Sequence, residues 1–412
     1  MLSPRTITIV KATAPVMQIH GLTIVLRMYD LLLRDPNIRA LFDPTHQRNG
    51  TQPRALAQAV VAYAENIDNL TALGPAVDRI ATRHVALNIQ PHHYDAVAIA
   101  LLQAVRDVLG EAATPEIIAA WTEAIGLLKT ILTTREAELY KAQEDAPGGW
   151  RGYRTFQLEL TVPESSSISS FFLAPIDGQP LPPFRPGQYL TLKLDVPGYG
   201  PLLRHYSLSC GAVQSDYYRI SVKREEAPAA GTAAGLASSY LHRIATPGMR
   251  FEVAPPAGTF TLPDGNSALV LLAGGIGITP LLSMLETIAR TQPNRPVQLV
   301  HAVRSAAHHA FGAEVRDLVA KLSQGRAQTF YEQPSPEATL GTDYHHIGRV
   351  DPAWIVQNSP ASDALYRVCG PRDFMRTIVQ GLRAQGIPRD RIQYEFFGAT
   401  DEDLLIAPTL AA

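Results

Sequence analysis

The sequence predicts a multidomain chain: an all-helical domain at the N-terminus, an antiparallel β-barrel behind it, and a parallel α/β sheet at the C-terminus. Two observations carry this prediction. The spacing of apolar residues changes from a helical period to strict alternation near residue 154, and from alternation to continuous apolar runs near residue 268. A chain of 412 residues also exceeds one ordinary core and suits several domains.

Each element follows from its local pattern. Leu22, Val25, Leu26, Tyr29, Leu32 and Leu33 share one helix face, as do Leu56, Ala59, Val60, Tyr63 and Ile67. Asp35-Pro36 and Gln52-Pro53 put proline near a first helical turn. Helical spacing extends over residues 1–141, and the charged, Pro- and Gly-containing stretch 142–153 reads as a linker. Beyond it Phe156, Leu158, Leu160 and Val162 alternate with polar residues. Short runs at 168–175, 188–196, 204–209, 217–224 and 250–254, divided by turn residues, complete a barrel over 154–264. The runs ALVLLA at 268, VQLVHAV at 297 and ALYRVCG at 364 have no polar face, as strands covered on both sides by helices require, and they place a parallel sheet in 265–412.

Composition narrows the function. With 46% hydrophobic and 18% charged residues the chain is that of a packed globular protein. A net charge of -2 without a basic cluster excludes polynucleotide binding. Two cysteines, Cys210 and Cys369, exclude a disulfide framework or thiolate-rich metal site. The N-terminus lacks an uninterrupted apolar signal core, and nothing elsewhere reaches the roughly 18 apolar residues of a membrane span. A cytoplasmic protein is expected.

The most legible site is LVLLAGGIGITPLLSML at 269–285. Its strand stops at glycines that let a phosphate approach the main chain. Thr279 reads as an N-cap and Pro280 as the first residue of a helix whose positive end points at the same place. Alone, the motif is also compatible with a ligand-free turn. A second signal is RPGQY at 185–189 with RHYSLS at 204–209, where Arg204 can pair with a pyrophosphate, Tyr206 can lie against a flat ring and Ser207 can donate a hydrogen bond.

Together and in order, RPGQY, R-x-Y-S, G-G-x-G-x-T-P, CGP at 369–371 and YEFFG at 394–398 resemble the ferredoxin-NADP reductase superfamily. That resemblance implies that Tyr189, Arg204, His205, Tyr206 and Ser207 bind FAD together with Phe396, Phe397, Gly398 and Ala399, Phe397 stacking on the flavin. It further implies that Gly275, Ile276, Gly277, Ile278, Thr279 and Pro280 receive the pyrophosphate of NADH or NADPH, with Cys369 near the nicotinamide. A small buried strand thiol needs no such role, however. Phe396 and Ala399 depart from the residues common in relatives and are expected to shift the flavin potential. His205 replaces a common glutamine. The tail 400–412 exceeds the pattern and has no assigned role.

In the helical domain His84 lies on an apolar face with Val77, Ile80, Ala81 and Leu87. Such a histidine is more often a core residue than a ligand. Tyr29, Phe42, Gln52 and Leu56, in that order and with those intervals, resemble the distal pocket of bacterial globins. VKATAP at 10–15, AYAENI at 62–67 and TREAELY at 134–140 extend the likeness. With the reductase behind it, nearly the whole chain is similar to the flavohaemoglobins.

This resemblance implies a b-type haem held by His84 on the proximal side, with Glu136 and Tyr94 behind the imidazole. Tyr29 and Gln52 would face bound dioxygen, Leu56 would ration space, and Arg83, where lysine is common, would sit near a propionate and tune the potential. The implied activity is nitric oxide dioxygenase, which converts NO and O2 to nitrate with electrons from NADH or NADPH through FAD. Alternatives are an oxygen-binding or sensing globin kept ferrous by its reductase, or a reductase of ferric iron or hydroperoxides. The expected partners are NO and O2, with a lipid in the distal pocket left open. No protein partner is expected, and the chain is read as a monomer.

Overall fold

The computed structural model describes residues 2–42, 51–213, 216–227 and 235–397, apart from the side chain of Thr51. They form two compact units. One comprises the described residues up to Asp145 with 150–152 and 195–203, the other the remaining described residues.

The first unit is helical. Ser3 caps the helix Pro4–Leu32 by accepting from Thr6 N at 3.0 Å, with Pro4 in the first turn, where it removes no needed donor. Val10, Ala14, Met17, Gly21, Ile24, Met28 and Leu32 repeat at three- and four-residue steps and are buried, with Val25 beside them. Each of the larger ones contributes about 1.5–3 kcal/mol by leaving water. This stripe packs on the helices Thr51–Glu65 and Pro91–Leu109, Gly21 bringing the first helix close to Ala57. The helix Pro115–Asp145 joins the same core, with Trp121 Nε1 donating to Thr13 Oγ1 at 3.0 Å and Tyr63 donating to the carbonyl of Ala124 at 2.7 Å.

Two features depart from the sequence expectation. The last helix continues through Asp145 instead of ending at 141, helped by an exposed Lys141–Asp145 pair one turn apart, and stops where Pro147 approaches. By length and mean hydropathy, the helices Pro4–Leu32 and Pro115–Asp145 are also long and apolar enough to cross a bilayer. Their interspersed charges had hidden this in the sequence, and their apolar stripes are the ones that form the helical core.

In the second unit, apart from residues 195–196 and 200–203, which group with the first, β1 (Arg154–Pro163), β2 (Ile168–Pro175), β3 (Tyr189–Val196), β4 (Gly200–Ser207), β5 (Tyr218–Lys223) and β6 (Arg250–Ala257) form an antiparallel sheet in the order β4-β3-β6-β1-β2-β5. Just past β4, Leu208 bridges Ile220 of β5 and Ser209 N donates to the Arg219 carbonyl at 2.8 Å, so the two edge strands meet. The expected alternation holds for Phe156 and Leu158, both fully buried. A bulge between Leu158 and Leu160 then shifts the register against β2, and Leu160 is 50% exposed.

The second sheet is parallel at every strand pairing. β7 (Leu269–Gly274), β8 (Val297–Val303), β9 (Gly325–Tyr331), β10 (His346–Ile347), β11 (Leu365–Cys369) and β12 (Ile392–Glu395) take the order β10-β9-β8-β7-β11-β12. The order reverses between β7 and β11, which opens a crevice at the carboxyl ends of these two strands. The helices Ile278–Thr291 and Arg372–Ala384 bury opposite faces of the sheet.

The barrel and this sheet are joined by side chains. Arg219 of β5 makes a bidentate pair with Glu314 of the helix Gly312–Val319, at 2.8 and 3.0 Å. The helix Ile278–Thr291 grips the loop after β4: Glu286 accepts from Gly211 N at 2.6 Å and Thr287 Oγ1 from Ala212 N at 2.8 Å.

Candidate functional site

The helical unit gathers His84, Tyr94 and Glu136 from three helices. His84 lies in the last turn of Gly74–Ala86, which ends at Leu87 and Asn88, the latter in a left-handed conformation (φ 56°). A short connection then leads to Pro91, which opens the next helix and puts Tyr94 in its first turn. Tyr140 fastens the connection by donating to the Ile89 carbonyl at 2.8 Å. Glu136 comes from the middle of the long helix and is 2% exposed.

The hydrogen bonds fix the protons. The Tyr94 hydroxyl donates to Glu136 Oε1. Glu136 Oε1 lies 2.8 Å from His84 Nδ1, and the Tyr94 oxygen is also 2.8 Å from Nδ1. A carboxylate accepts only, so Nδ1 carries the hydrogen and the lone pair sits on Nε2. Nε2 has no hydrogen-bond partner among the described residues. A half-buried imidazole with one nitrogen clamped and the other left as a free donor atom fits an axial metal ligand. Burial, followed by the bond to Glu136, pushes the Tyr94 phenol far above the ordinary tyrosine value, so it remains a donor.

Tyr29 is buried with its ring edge-on to Phe42, centroids 5.5 Å apart, and Phe42 and Leu56 pack on the same core cluster. Gln52 stands one helical turn before Leu56 on Thr51–Glu65. Arg83 is half-buried beside His84.

In the barrel Tyr189 is buried against Gly258 (φ +119°), where a Cβ would come within 3.0 Å of the tyrosine ring. Strand alternation puts Arg204 and Tyr206 on one face of β4 and His205 and Ser207 on the other. His205 lies 4.7 Å from the Tyr189 ring, centroid to centroid, and is held by Thr191 Oγ1 at 2.8 Å. Beyond β12, Phe396 packs on the sheet core, whereas Phe397 is 45% exposed. Gly398, Ala399 and the tail 400–412 lie outside the described residues.

The glycine loop sits at the crevice. Gly277 takes a backbone position where a Cβ would lie 2.2 Å from the Cys369 carbonyl oxygen. Gly275 (φ +51°) has open space where its Cβ would be, so main chain is presented to the crevice without a side chain in the way. Gly275 and Ile276 are partly exposed, while Gly277, Ile278, Thr279 and Pro280 are buried. Cys369 is fully buried.

The helix begins at Ile278 with Gly277 as its N-cap, after a single 3₁₀ turn. This corrects the expected cap at Thr279, whose hydroxyl donates backwards to the Ile276 carbonyl at 3.0 Å, and it moves Pro280 off the first helical position. The 3₁₀ turn starts the spiral early, which propensity at Thr-Pro does not reveal. Among the features not singled out in the sequence are a helix and a histidine. The helix Leu236–Ile244 starts at Gly235, with Ser238 closing its first turn, and the Gly-x-x-Ser spacing was its signal. His301 of β8 lies beneath the glycine loop, hidden within an apolar run.

Comparison with known proteins agrees with both halves. The globin family matches residues 27–132 and the oxidoreductase NAD-binding domain family matches residues 271–380. The flavohemoprotein of Xylella fastidiosa is 43% identical over 403 residues, covering 98% of each chain. A crystal structure of flavohemoglobin from Malassezia yamatoensis with bound FAD and heme superposes with a TM-score of 0.83 at 27% identity, over 96% of this chain and 100% of that one. The FAD/NAD-binding domain of nitric oxide dioxygenase from Vibrio cholerae covers 60% of this chain and 100% of its own at 32% identity and a TM-score of 0.53. A globin and a reductase module in one chain, matched end to end, place this chain in the flavohemoprotein family.

Proposed function

We propose that this flavohemoprotein, an NAD(P)H-dependent oxidoreductase that uses haem and FAD, is a cytoplasmic nitric oxide dioxygenase consuming NO and O2 to form nitrate. The observation that carries the proposal is the His84–Tyr94–Glu136 group, with its free Nε2, in one chain with a nucleotide-binding reductase. The Vibrio cholerae relative is named for this activity.

When bound, haem supplies an iron for the gaseous substrates, FAD divides a two-electron reductant into single electrons, and the nicotinamide nucleotide supplies them. His84 would hold the iron through Nε2. Glu136 accepts the Nδ1 hydrogen and makes the imidazole a stronger donor, while Tyr94 orients the carboxylate. Tyr29 supplies a hydroxyl for charge developing on dioxygen, with Gln52 assisting and Phe42 and Leu56 limiting the space. Arg83 would lie near a propionate. In the reductase, Arg204 would hold the FAD pyrophosphate, Tyr189, Tyr206 and Ser207 would orient the ring with His205 supporting Tyr189, and Phe397 would lie against it, with Phe396 behind on the sheet core. The loop Gly275–Pro280 would hold the nucleotide's pyrophosphate, with Cys369 near the nicotinamide.

The test is NO consumption by purified protein loaded with haem and FAD. Stoichiometric nitrate requiring both O2 and reduced nucleotide is expected. Oxygen binding with no nitrate formed would instead support an oxygen carrier or sensor.

A further inference from the structure

Among buried groups outside the roles above, His301 has an unusual set of contacts. It lies on β8, opposite Ala273 of β7, one residue below the level at which Gly274 pairs with Ala302 and the glycine loop begins. It is 1% exposed, and its Nε2 is 3.0 Å from the carbonyl oxygen of Gly275. A carbonyl only accepts, so Nε2 carries the hydrogen. The other nitrogen, Nδ1, is therefore a bare acceptor, and it has no partner among the described residues. Leaving a buried acceptor unmet costs about 1–3 kcal/mol. Leu299, two residues earlier on the same face, shows that an aliphatic side chain packs well on this strand.

We propose that His301 is a positioning residue that sets the orientation of the phosphate-binding loop, through its hydrogen bond to Gly275. The peptide following Gly275 is trans, so the N–H of Ile276 points opposite to the carbonyl that His301 holds. With the carbonyl anchored on His301, that N–H is aimed away from His301, and Gly275 itself leaves open space at its Cα, with no side chain to crowd a ligand. The same carbonyl also accepts from Ile278 N at the start of the helix, so the peptide is tied from below and from one side. His309, edge-on at 5.3 Å, fixes the plane of the His301 ring and is itself bonded to the Tyr331 hydroxyl at 2.9 Å. Burial, with the neighbouring His309, pushes the His301 imidazole down to about 3, so it is a neutral donor at any working pH. The ligand is the diphosphate of the nicotinamide nucleotide, and this inference rests on the function proposed above.

The test uses full-length protein loaded with haem and FAD, with ADP-ribose as the probe in calorimetry and NADH in steady-state kinetics. His301→Leu removes the donor. His301→Gln restores an N–H near the Nε2 position, and His301→Asn carries an amide too short to reach. Loss of one aimed N–H should raise the ADP-ribose Kd and the NADH KM about threefold to tenfold in the Leu and Asn variants, the ratio an ordinary hydrogen bond gives. kcat at saturating NADH and the haem and flavin spectra should stay unchanged, and the Gln variant should return to within about twofold of wild type. Should the Leu variant not fold, the Asn variant carries the same expectation. Equal affinity in all four proteins, or a Gln variant as weak as the others, overturns the role of His301. Failure of the wild-type protein itself to bind any of ADP-ribose, NADH and NADPH overturns the nucleotide site altogether.

Discussion

The proximal group around His84 and the glycine loop at Gly275 are built from opposite materials. Around His84 the working atoms belong to side chains brought by three helices, and the backbone only delivers them. At the loop the backbone itself is presented, and of its side chains only that of Ile276 is partly exposed, the rest being absent or buried. The two sites should therefore fail differently. The first is sensitive to the loss of a functional group, and the second to the addition of a Cβ.

The sharpest break is expected from His84→Ala, which removes the proposed iron ligand. Haem absorbance and NO consumption should both be lost, while reduction of a soluble dye by NADH persists. Haem retained at full occupancy would show that another residue holds it. Next is Gly277→Ala, which places a methyl 2.2 Å from the Cys369 carbonyl and should cost about 1–3 kcal/mol through backbone displacement, with a raised NADH KM. Gly275→Ala meets open space and should cost only the strain of its left-handed backbone, about 1–2 kcal/mol. Thermal denaturation of the two variants together decides whether crowding or strain dominates in the loop.

Glu136→Gln keeps the shape of the proximal group and removes the charge. By analogy with other residues behind metal ligands, it should lower haem affinity or turnover about 10- to 100-fold, read by haem transfer to apomyoglobin and by nitrate yield.

The smallest effects separate the regions by pH. Tyr94 titrates higher in the folded chain than in the unfolded one, so its contribution to stability is complete below about pH 10 and is lost as pH rises above that. The stability gap between wild type and Tyr94→Phe should therefore shrink in alkali. His301 and His309 are pushed the other way by burial, to about 3 and about 4. Their contribution is complete above the ordinary histidine value near 6.5 and is lost as pH falls towards those values. Denaturant titrations at pH 7 and pH 5 should show a smaller acid loss in His309→Gln than in wild type.

The same contrast explains what the sequence could reveal. The loop was legible because its parts are contiguous and glycine has few other uses between a buried strand and a helix. Its helix start was misplaced because the 3₁₀ turn at Gly275–Gly277 has no strong composition of its own. β7, β8 and β11 announced themselves as apolar runs. β9, with Arg326, Gln328 and Thr329 among its residues, and the short β12 did not, since neither needs a continuous apolar surface. His84 alone read as a core residue. Only its likeness to a globin joined it to Tyr94 and Glu136, because a group assembled from three helices leaves no local spacing to detect. His301 was missed for the reverse reason, as one polar residue inside a strand that is otherwise apolar.

The grip of Glu286 and Thr287 on the loop after β4 has a further consequence. The helix that carries these residues starts at the nucleotide loop, so one rigid rod touches the proposed flavin barrel at its middle and the proposed nucleotide site at its tip. Exchanging the C-terminal module for that of a relative would sever this rod from its loop, together with the Arg219–Glu314 pair, unless the matching residues travelled with it. In inheritance, then, barrel and sheet are a single cassette, and recombination between them is the junction selection should resist.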